Sequence, residues 1–262
     1  MSYVLVSGDS AGVGYATAKL LTQNQIKTIG FARSQTINGS WEHHSIDLAN
    51  TDFHENLDKI YAAHGYPHTI ILNAGIGEVA SADAQPDSFT QKIFQVNTLS
   101  NIKIIKEILP KWRSKQNGHV ICLGSIVNDL HFPFKAHYNA SKAALTAFFL
   151  STAKENQQFG IRTTLLEPGW IRSEFHQRQK SLSSEHPIFK KQLTPFLDHS
   201  NDDNTSYPNG ESIAQIIFKE MHKNNYAKRI TIGRDAKLGL LLKRISPKNL
   251  FEKFIYKLSK LP

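Results

Sequence analysis

The chain has 262 residues, 40% hydrophobic and 20% charged, a globular balance that excludes wholesale disorder, and its 15 glycines and 10 prolines are too few for a collagenous or low-complexity chain. A lone cysteine, Cys122, excludes an internal disulfide framework and a cysteine-based zinc site, so no metal centre is expected, and it fits a reducing compartment. The net charge of +9 is concentrated at one end, where residues 234–262 hold eight Lys/Arg against Asp235 and Glu252, so a uniformly basic nucleic-acid binder is not expected.

Residues 3–7, YVLVS, form a short apolar run stopped by Gly8, the pattern of a buried parallel strand. Val13, Ala16, Thr17, Leu20 and Leu21 then recur at helical spacing. Strands are predicted over 27–32 and 68–72, and a long helix over 88–109, ended by Pro110. A strand over 119–123 follows, then a second long helix over 138–159, closed by Gly160. Further on, a strand over 162–166 stops at Pro168-Gly169, a helix covers 212–222 and a last strand 229–233. Strands alternating with helices predict an α/β fold: one domain, 1–262, with a Rossmann-type doubly wound parallel sheet, helices on both faces and right-handed crossovers.

Two segments stand apart. Residues 174–209 are polar and lack clear periodicity, which reads as a substrate lid or mobile loop. Their Phe175, Leu182, Ile188, Phe189, Leu193, Phe196 and Leu197, with Trp170 nearby, imply an apolar cleft. Within 234–262, apolar and basic residues alternate at helical spacing, a pattern that suits an anionic membrane surface, packing on the core, or an oligomer partner. The longest uncharged run, 60–77, carries His64, Pro67, His68 and Asn73 and is not a membrane span. The N-terminus, MSYVLVSGDS, lacks the features of a signal peptide, so the expected location is cytoplasmic, with peripheral membrane contact left open.

The chemistry concentrates in a few motifs. Ser7-Gly8-Asp9-Ser10-Ala11-Gly12-Val13-Gly14 joins the first strand to the first helix. A chain that must turn sharply, approach a pyrophosphate with bare backbone and start a helix against a sheet disfavours a Cβ at each step. Helix N-terminal amides can then hold phosphates, with Ser10 and Val13 beside the glycines. Tyr138-Asn-Ala-Ser-Lys142 places a phenol and an ammonium one helical turn apart. The ammonium is expected to lower the phenol's pKa from near 10 and make it a general acid/base. Cys122, inside a strand, is expected to be a small buried hydrophobe.

The GxxxGxG turn, Asn73-Ala74-Gly75, Asn97, Ser125, Tyr138 and Lys142, in that order, resemble the short-chain dehydrogenase/reductase family over about 3–233. Leu72 replaces the first Asn of the family's NNAG motif, and Gly124 stands where many members carry a second serine. The resemblance implies catalytic roles for Asn97, Ser125, Tyr138 and Lys142. Ser125 holds the substrate carbonyl, Lys142 also meets the cofactor ribose, and Asn97 bends its helix and binds a water linked to the lysine. It further implies that Asp47, with Leu48 beside it, reaches the adenine. Pro168, Gly169, Ile171 and Ser173, the last replacing Thr, are expected to hold the nicotinamide carboxamide.

An NAD-specific site carries an acidic residue near the end of the second strand; none lies between Lys27 and Trp41, where Arg33 and Ser34 suit a 2′-phosphate. NADP(H) is therefore expected in preference to NAD(H), with reversible hydride transfer on a hydrophobic carbonyl/alcohol small molecule. The family further implies a homodimer or homotetramer. A non-catalytic nucleotide sensor or scaffold on the same fold is the alternative, against which the intact Ser125, Tyr138 and Lys142 argue.

Overall fold

The computed structural model describes residues 2–35, 39–172, 175, 180–182, 187–200, 207–224 and 227–258. The first apolar runs seen in the sequence become β1 (Val4–Ser7), β2 (Thr28–Ala32) and β4 (Thr69–Leu72), and the polar, half-buried β3 (Glu42–Ser45) is an edge strand of the sheet. β5 (Glu78–Ala80) leaves the sheet; β6 (Gly118–Leu123), β7 (Ile161–Pro168), β8 (Lys180–Leu182) and β9 (Ala227–Ile232) complete the set. The main sheet is parallel, seven-stranded, in the order β3-β2-β1-β4-β6-β7-β9, and β5 pairs with β8 in a separate two-stranded ribbon. The order reverses direction between β1 and β4, so a crevice opens beyond their carboxyl ends.

Alternation along β1 shows why the run is apolar throughout. Tyr3 and Leu5 face one core with α2 (Phe53–His64), α4 (Ser100–Lys115) and α6 (Ala136–Asn156). Val4 and Val6 face the other with α1 (Gly12–Gln23) and α8 (Gly210–Met221). Between them run α3 (Asp87–Phe94), the four-residue α5 (Val127–Leu130) and α7 (Pro187–Ser200); α9 (Arg234–Ile245) and α10 (Lys248–Leu258) end the described chain. Among the described residues no helix is long and apolar enough to cross a membrane.

Three expectations change. The long helix predicted over 88–109 is split by a π-turn, Gln95–Leu99, which centres on Asn97. Nor does Pro110 end it: Pro110 lies inside α4, which runs on to Lys115 because Trp112 two residues later is 1% exposed and donates its indole N–H to the Pro67 carbonyl at 2.7 Å. The segment read as a lid contains the 14-residue α7, whose Leu193 is buried with Val79 and Phe134. Phe196 and Leu197 lie on α7 and Leu182 on β8, but their side chains fall outside the described ones. The tail, for which packing on the core was one of the readings left open, is two helices packed on it: Ala236, Phe251 and Ile255 are buried in one cluster with Leu130, Phe132 and Tyr138. Gly160, by contrast, closes α6 and a short 3-10 turn in the left-handed region (φ 69°), as the sequence predicts.

Candidate active site

The crevice at the strand reversal is a cleft of about 480 Å³. Its floor is the glycine turn. Gly8 and Gly12 have φ of 71° and 54°, conformations that disfavour side chains. Gly14 stands off the cleft wall: a Cβ there would lie 2.1 Å from the Gly8 carbonyl oxygen. Asn73 braces the turn from β4. Its Nδ2 donates to the Ser7 and Gly8 carbonyls at 3.1 and 3.3 Å. The Ser7 hydroxyl accepts from the Asn73 and Ala74 amides at 2.9 and 3.0 Å.

Asp9, which the sequence reading passed over, points away from the cleft and is fully buried. Its Oδ2 accepts the Trp41 indole N–H at 2.7 Å and pairs with His43 Nδ1 at 2.8 Å, tying the turn to β3. Gly30 on β2 makes room for that carboxylate, since a Cβ there would meet it at 2.0 Å.

Along the walls stand Ser10, Gly12 and Val13, then Arg33, Ser34, Asp47 and Leu48 at one end, Asn73, Ala74 and Gly75 in the middle, and Pro168, Gly169 and Ile171 opposite. Ser173 lies outside the described residues. Arg33 and Ser34 are exposed at the rim, whereas Asp47 spends Oδ1 on the Ala49 amide at 3.0 Å. Gly169 has no side chain where Asp235 approaches, 2.2 Å from a would-be Cβ, and that carboxylate accepts the Trp170 amide at 2.9 Å. α9 thereby fixes the loop after β7.

At the far end Ser125, Tyr138 and Lys142 converge on the cleft. Lys142 Nζ lies 5.9 Å from the Tyr138 ring centre and donates to the Leu123 carbonyl at 2.9 Å. Asn97 grips the loop after β4: its Oδ1 accepts the Ile76 amide and its Nδ2 donates to the Ile76 carbonyl, both at 2.9 Å. The same Nδ2 reaches Ser141 Oγ at 3.0 Å, and Ser141 donates to the Tyr138 carbonyl at 2.8 Å. Helix bend, loop and the start of α6 are therefore held as one piece.

The electrostatics correct the simple two-residue picture. Burial pushes the Tyr138 phenol up to about 12, while the Ser125 hydroxyl works the other way. Burial also lowers the Lys142 ammonium. Desolvation acts on both members of the pair, and the lysine is turned to a carbonyl, so helical spacing alone does not acidify the phenol. Cys122 is fully buried and its thiol is pushed up to about 12, consistent with an inert hydrophobe.

Glu78, Lys135, Phe132 and Tyr207 escaped the sequence reading. Glu78 is fully buried and caps α6, accepting the His137 and Tyr138 amides at 2.6 and 3.1 Å. Lys135 lines the cleft just before α6, three residues from Tyr138 and so on its side of the helix, a spacing that could have flagged it. Phe134 between Phe132 and Lys135 sits in the left-handed region (φ 58°) with its carbonyl held by the Ala80 amide at 2.9 Å, the kind of turn that propensities do not announce.

The bare-backbone floor, the amides at the start of α1 and a cleft running from Arg33 to Tyr138 fit a dinucleotide. A sequence model described as short chain dehydrogenase matches residues 2–183. The chain belongs to the short-chain dehydrogenase/reductase family. Among its relatives is an oxidoreductase of Botryotinia fuckeliana, 26% identical over 245 residues and covering 88% of each chain. A short-chain dehydrogenase structure from Streptomyces avermitilis superposes with a TM-score of 0.82 at 22% identity, over 97% of this chain and 98% of that one. Two more structural neighbours differ in cofactor: 4-hydroxyisoleucine dehydrogenase complexed with NADH (TM-score 0.72, 20% identity, 89% and 98% covered) and serine dehydrogenase complexed with NADP+ (TM-score 0.74, 18% identity, 88% and 94% covered). Family membership makes the chain an oxidoreductase of the class that binds nicotinamide cofactors.

Proposed function

We propose that the chain is an NADP(H)-preferring oxidoreductase acting reversibly on a carbonyl/alcohol pair of an apolar small molecule. The observation that carries this reading is the convergence of Ser125, Tyr138 and Lys142 at one end of a glycine-floored cleft. The backbone amides near Gly12 and Val13 bind pyrophosphate, Asp47 and Leu48 flank the adenine, and Arg33 with Ser34 hold a 2′-phosphate by charge-assisted hydrogen bonds. Lys142 binds the ribose, and Pro168, Gly169, Ile171 and Ser173 orient the nicotinamide. Bound there, the cofactor supplies or accepts the hydride.

Ser125 Oγ polarises the substrate carbonyl oxygen. Tyr138 Oη donates the proton to it in reduction and takes it back in oxidation. The phenol is protonated at neutral pH and so has a proton to give, and the Ser125 hydroxyl, which lowers its pKa, eases that proton's release. Asn97, through a water, replenishes the proton by way of Lys142. Phe132, Trp170, Phe175, Leu238 and Phe254 line the substrate end and support an apolar ligand.

Replacing Tyr138 with Phe is the test. NADPH binding, followed by fluorescence, is expected to persist, while turnover across a carbonyl panel falls about 10²–10⁴-fold. A variant that keeps its turnover sinks the acid/base role and the reading with it. The protein is further proposed to assemble as a homodimer or homotetramer and to work in the cytoplasm. The outer stripe of α9, where Leu238, Leu241 and Ile245 are exposed beside Arg234, Lys237 and Arg244, is proposed to rest on an anionic membrane surface.

A further inference from the structure

A charged network lies behind the loop that carries Ser125. Its centre is Glu167, fully buried near the end of β7. One carboxylate oxygen accepts the Asn128 side-chain amide at 3.0 Å, and the other pairs with Nε of Arg229 on β9. The same guanidinium reaches the Asp129 carboxylate through Nη2, and Lys243 of α9 donates to the Asp129 carbonyl at 2.6 Å. The planar fork of an arginine can meet two carboxylates at once, which a single ammonium does less well. Burial raises the Glu167 pKa, and the Arg229 guanidinium works the other way. Three elements far apart in sequence, β7, β9 and α9, thus converge on two consecutive residues of the four-residue α5. A helix of one turn is not held in place by its own hydrogen bonds. Val127 and Leu130 bury its apolar side, and the network fixes its polar side.

α5 in turn holds the serine. The Val127 amide donates to Ser125 Oγ at 3.3 Å. That bond occupies one acceptor position of the oxygen and leaves the hydroxyl proton and the second lone pair for the substrate and for Tyr138, whose phenol this hydroxyl lowers. Gly124 gives the network room: a Cβ there would lie 3.1 Å from Leu165 Cδ1 and 3.3 Å from Glu167 Cγ. We propose that Glu167, acting with Asn128 and Arg229, is a positioning residue for Ser125. By fixing α5 it fixes the Val127 amide, and with it the direction in which Ser125 Oγ meets the substrate oxygen and the Tyr138 phenol. Ser125 and Tyr138 line the cleft, whereas Glu167, Asn128 and Arg229 stand behind its wall, so their effect on the reaction passes through the serine. The inference rests on the reading of Ser125 and Tyr138 as the groups that polarise and protonate the carbonyl.

The test compares the full-length protein with Glu167→Gln, Asn128→Ala, Ser125→Ala and the double variant Asn128→Ala/Ser125→Ala. Three quantities are read: kcat and KM for a carbonyl that the unaltered protein reduces, NADPH affinity by fluorescence, and hydrogen exchange over residues 124–131 by mass spectrometry. Asn128→Ala is expected to lower kcat about tenfold, the scale of one charge-assisted hydrogen bond, with NADPH affinity unchanged and faster exchange over 124–131. Glu167→Gln is expected to lose at least as much. In the Ser125→Ala background, Asn128→Ala is expected to lower the residual kcat less than about twofold, because two residues that act through one group are not additive. An unchanged kcat in folded Asn128→Ala overturns the proposal, and this half-buried position decides the matter even where Glu167→Gln does not fold. Full tenfold losses in both backgrounds overturn it too, as does a fall in kcat matched by an equal loss of NADPH affinity, which marks a general structural role. Turnover retained by Tyr138→Phe sinks the acid/base reading instead. In a chain that reduces no carbonyl, exchange alone decides: unchanged exchange over 124–131 in Asn128→Ala overturns the placement of Ser125 by this network, and faster exchange confined to that segment upholds it.

Discussion

A single side chain at the end of β2 sets the proposed cofactor preference. Arg33 lies exposed on the cleft rim, with Ser34 beside it and no carboxylate in the described part of the loop between β2 and Trp41. A guanidinium there gives a 2′-phosphate a bidentate partner, whereas a carboxylate would repel it and bond a ribose hydroxyl. Arg33→Asp is expected to weaken NADPH binding at least about tenfold and NADH binding far less, measured by fluorescence titration of both cofactors. Equal losses would remove the assignment. That Arg33, Tyr138 and the glycines Gly8 and Gly12 belong to one cleft was legible from local sequence patterns. Asp9 was not: its burial depends on Gly30 being bare and on Trp41 and His43 arriving from β3, contacts between residues more than twenty positions apart.

Secondary-structure elements add what single residues cannot. α9 presents two unlike faces: Ala236 and Gly239 are buried, Gly239 against Leu130, while Leu238, Leu241 and Ile245 are exposed. Lys243 is drawn inward to the Asp129 carbonyl at 2.6 Å, which leaves Arg234, Lys237 and Arg244 on the outer side with the exposed leucines. An amphipathic stripe of this composition binds anionic lipid through both its apolar area and its charge. The full-length protein is expected to sediment with vesicles containing anionic lipid, and Leu241→Glu/Ile245→Glu to stay in the supernatant with its fold intact by circular dichroism. Identical sedimentation of the two would end the membrane reading. Point changes are the right tool, because Phe251 and Ile255 pack with Tyr138 and removing the tail would open the site. The amphipathic pattern of the tail was visible in the sequence; which of its residues turn inward was not.

For the molecule as a whole, the parallel sheet carries a pH liability. His119 sits on β6, with Nε2 3.0 Å from Thr164 Oγ1 on β7, and burial lowers its pKa to about 3. His68, just before β4, is lowered in the same direction by the same cause. In the unfolded chain both titrate near pH 6.5, so below that pH the unfolded state binds protons that the folded state refuses. Stability is therefore complete above about pH 6.5 and declines as the pH falls toward 3, by up to about 1.4 kcal/mol per pH unit for His119. Urea midpoints are expected to drop between pH 7 and pH 5, and to drop less in His119→Gln. A steeper decline in that variant would contradict the assignment.

Local patterns determined the fold class, most strands, the glycine turn and the Tyr138-Lys142 pair, because each depends on residues within one turn or one strand of each other. Tertiary structure decided the rest. Trp112, anchored on Pro67, carries α4 past a proline that would otherwise stop it. Burial, rather than a neighbouring ammonium, dominates the phenol of Tyr138. Lys135 faces the cleft because Glu78, from another element, fixes where α6 begins. Desolvation and contacts distant in sequence become properties of a residue only once the chain has closed around it.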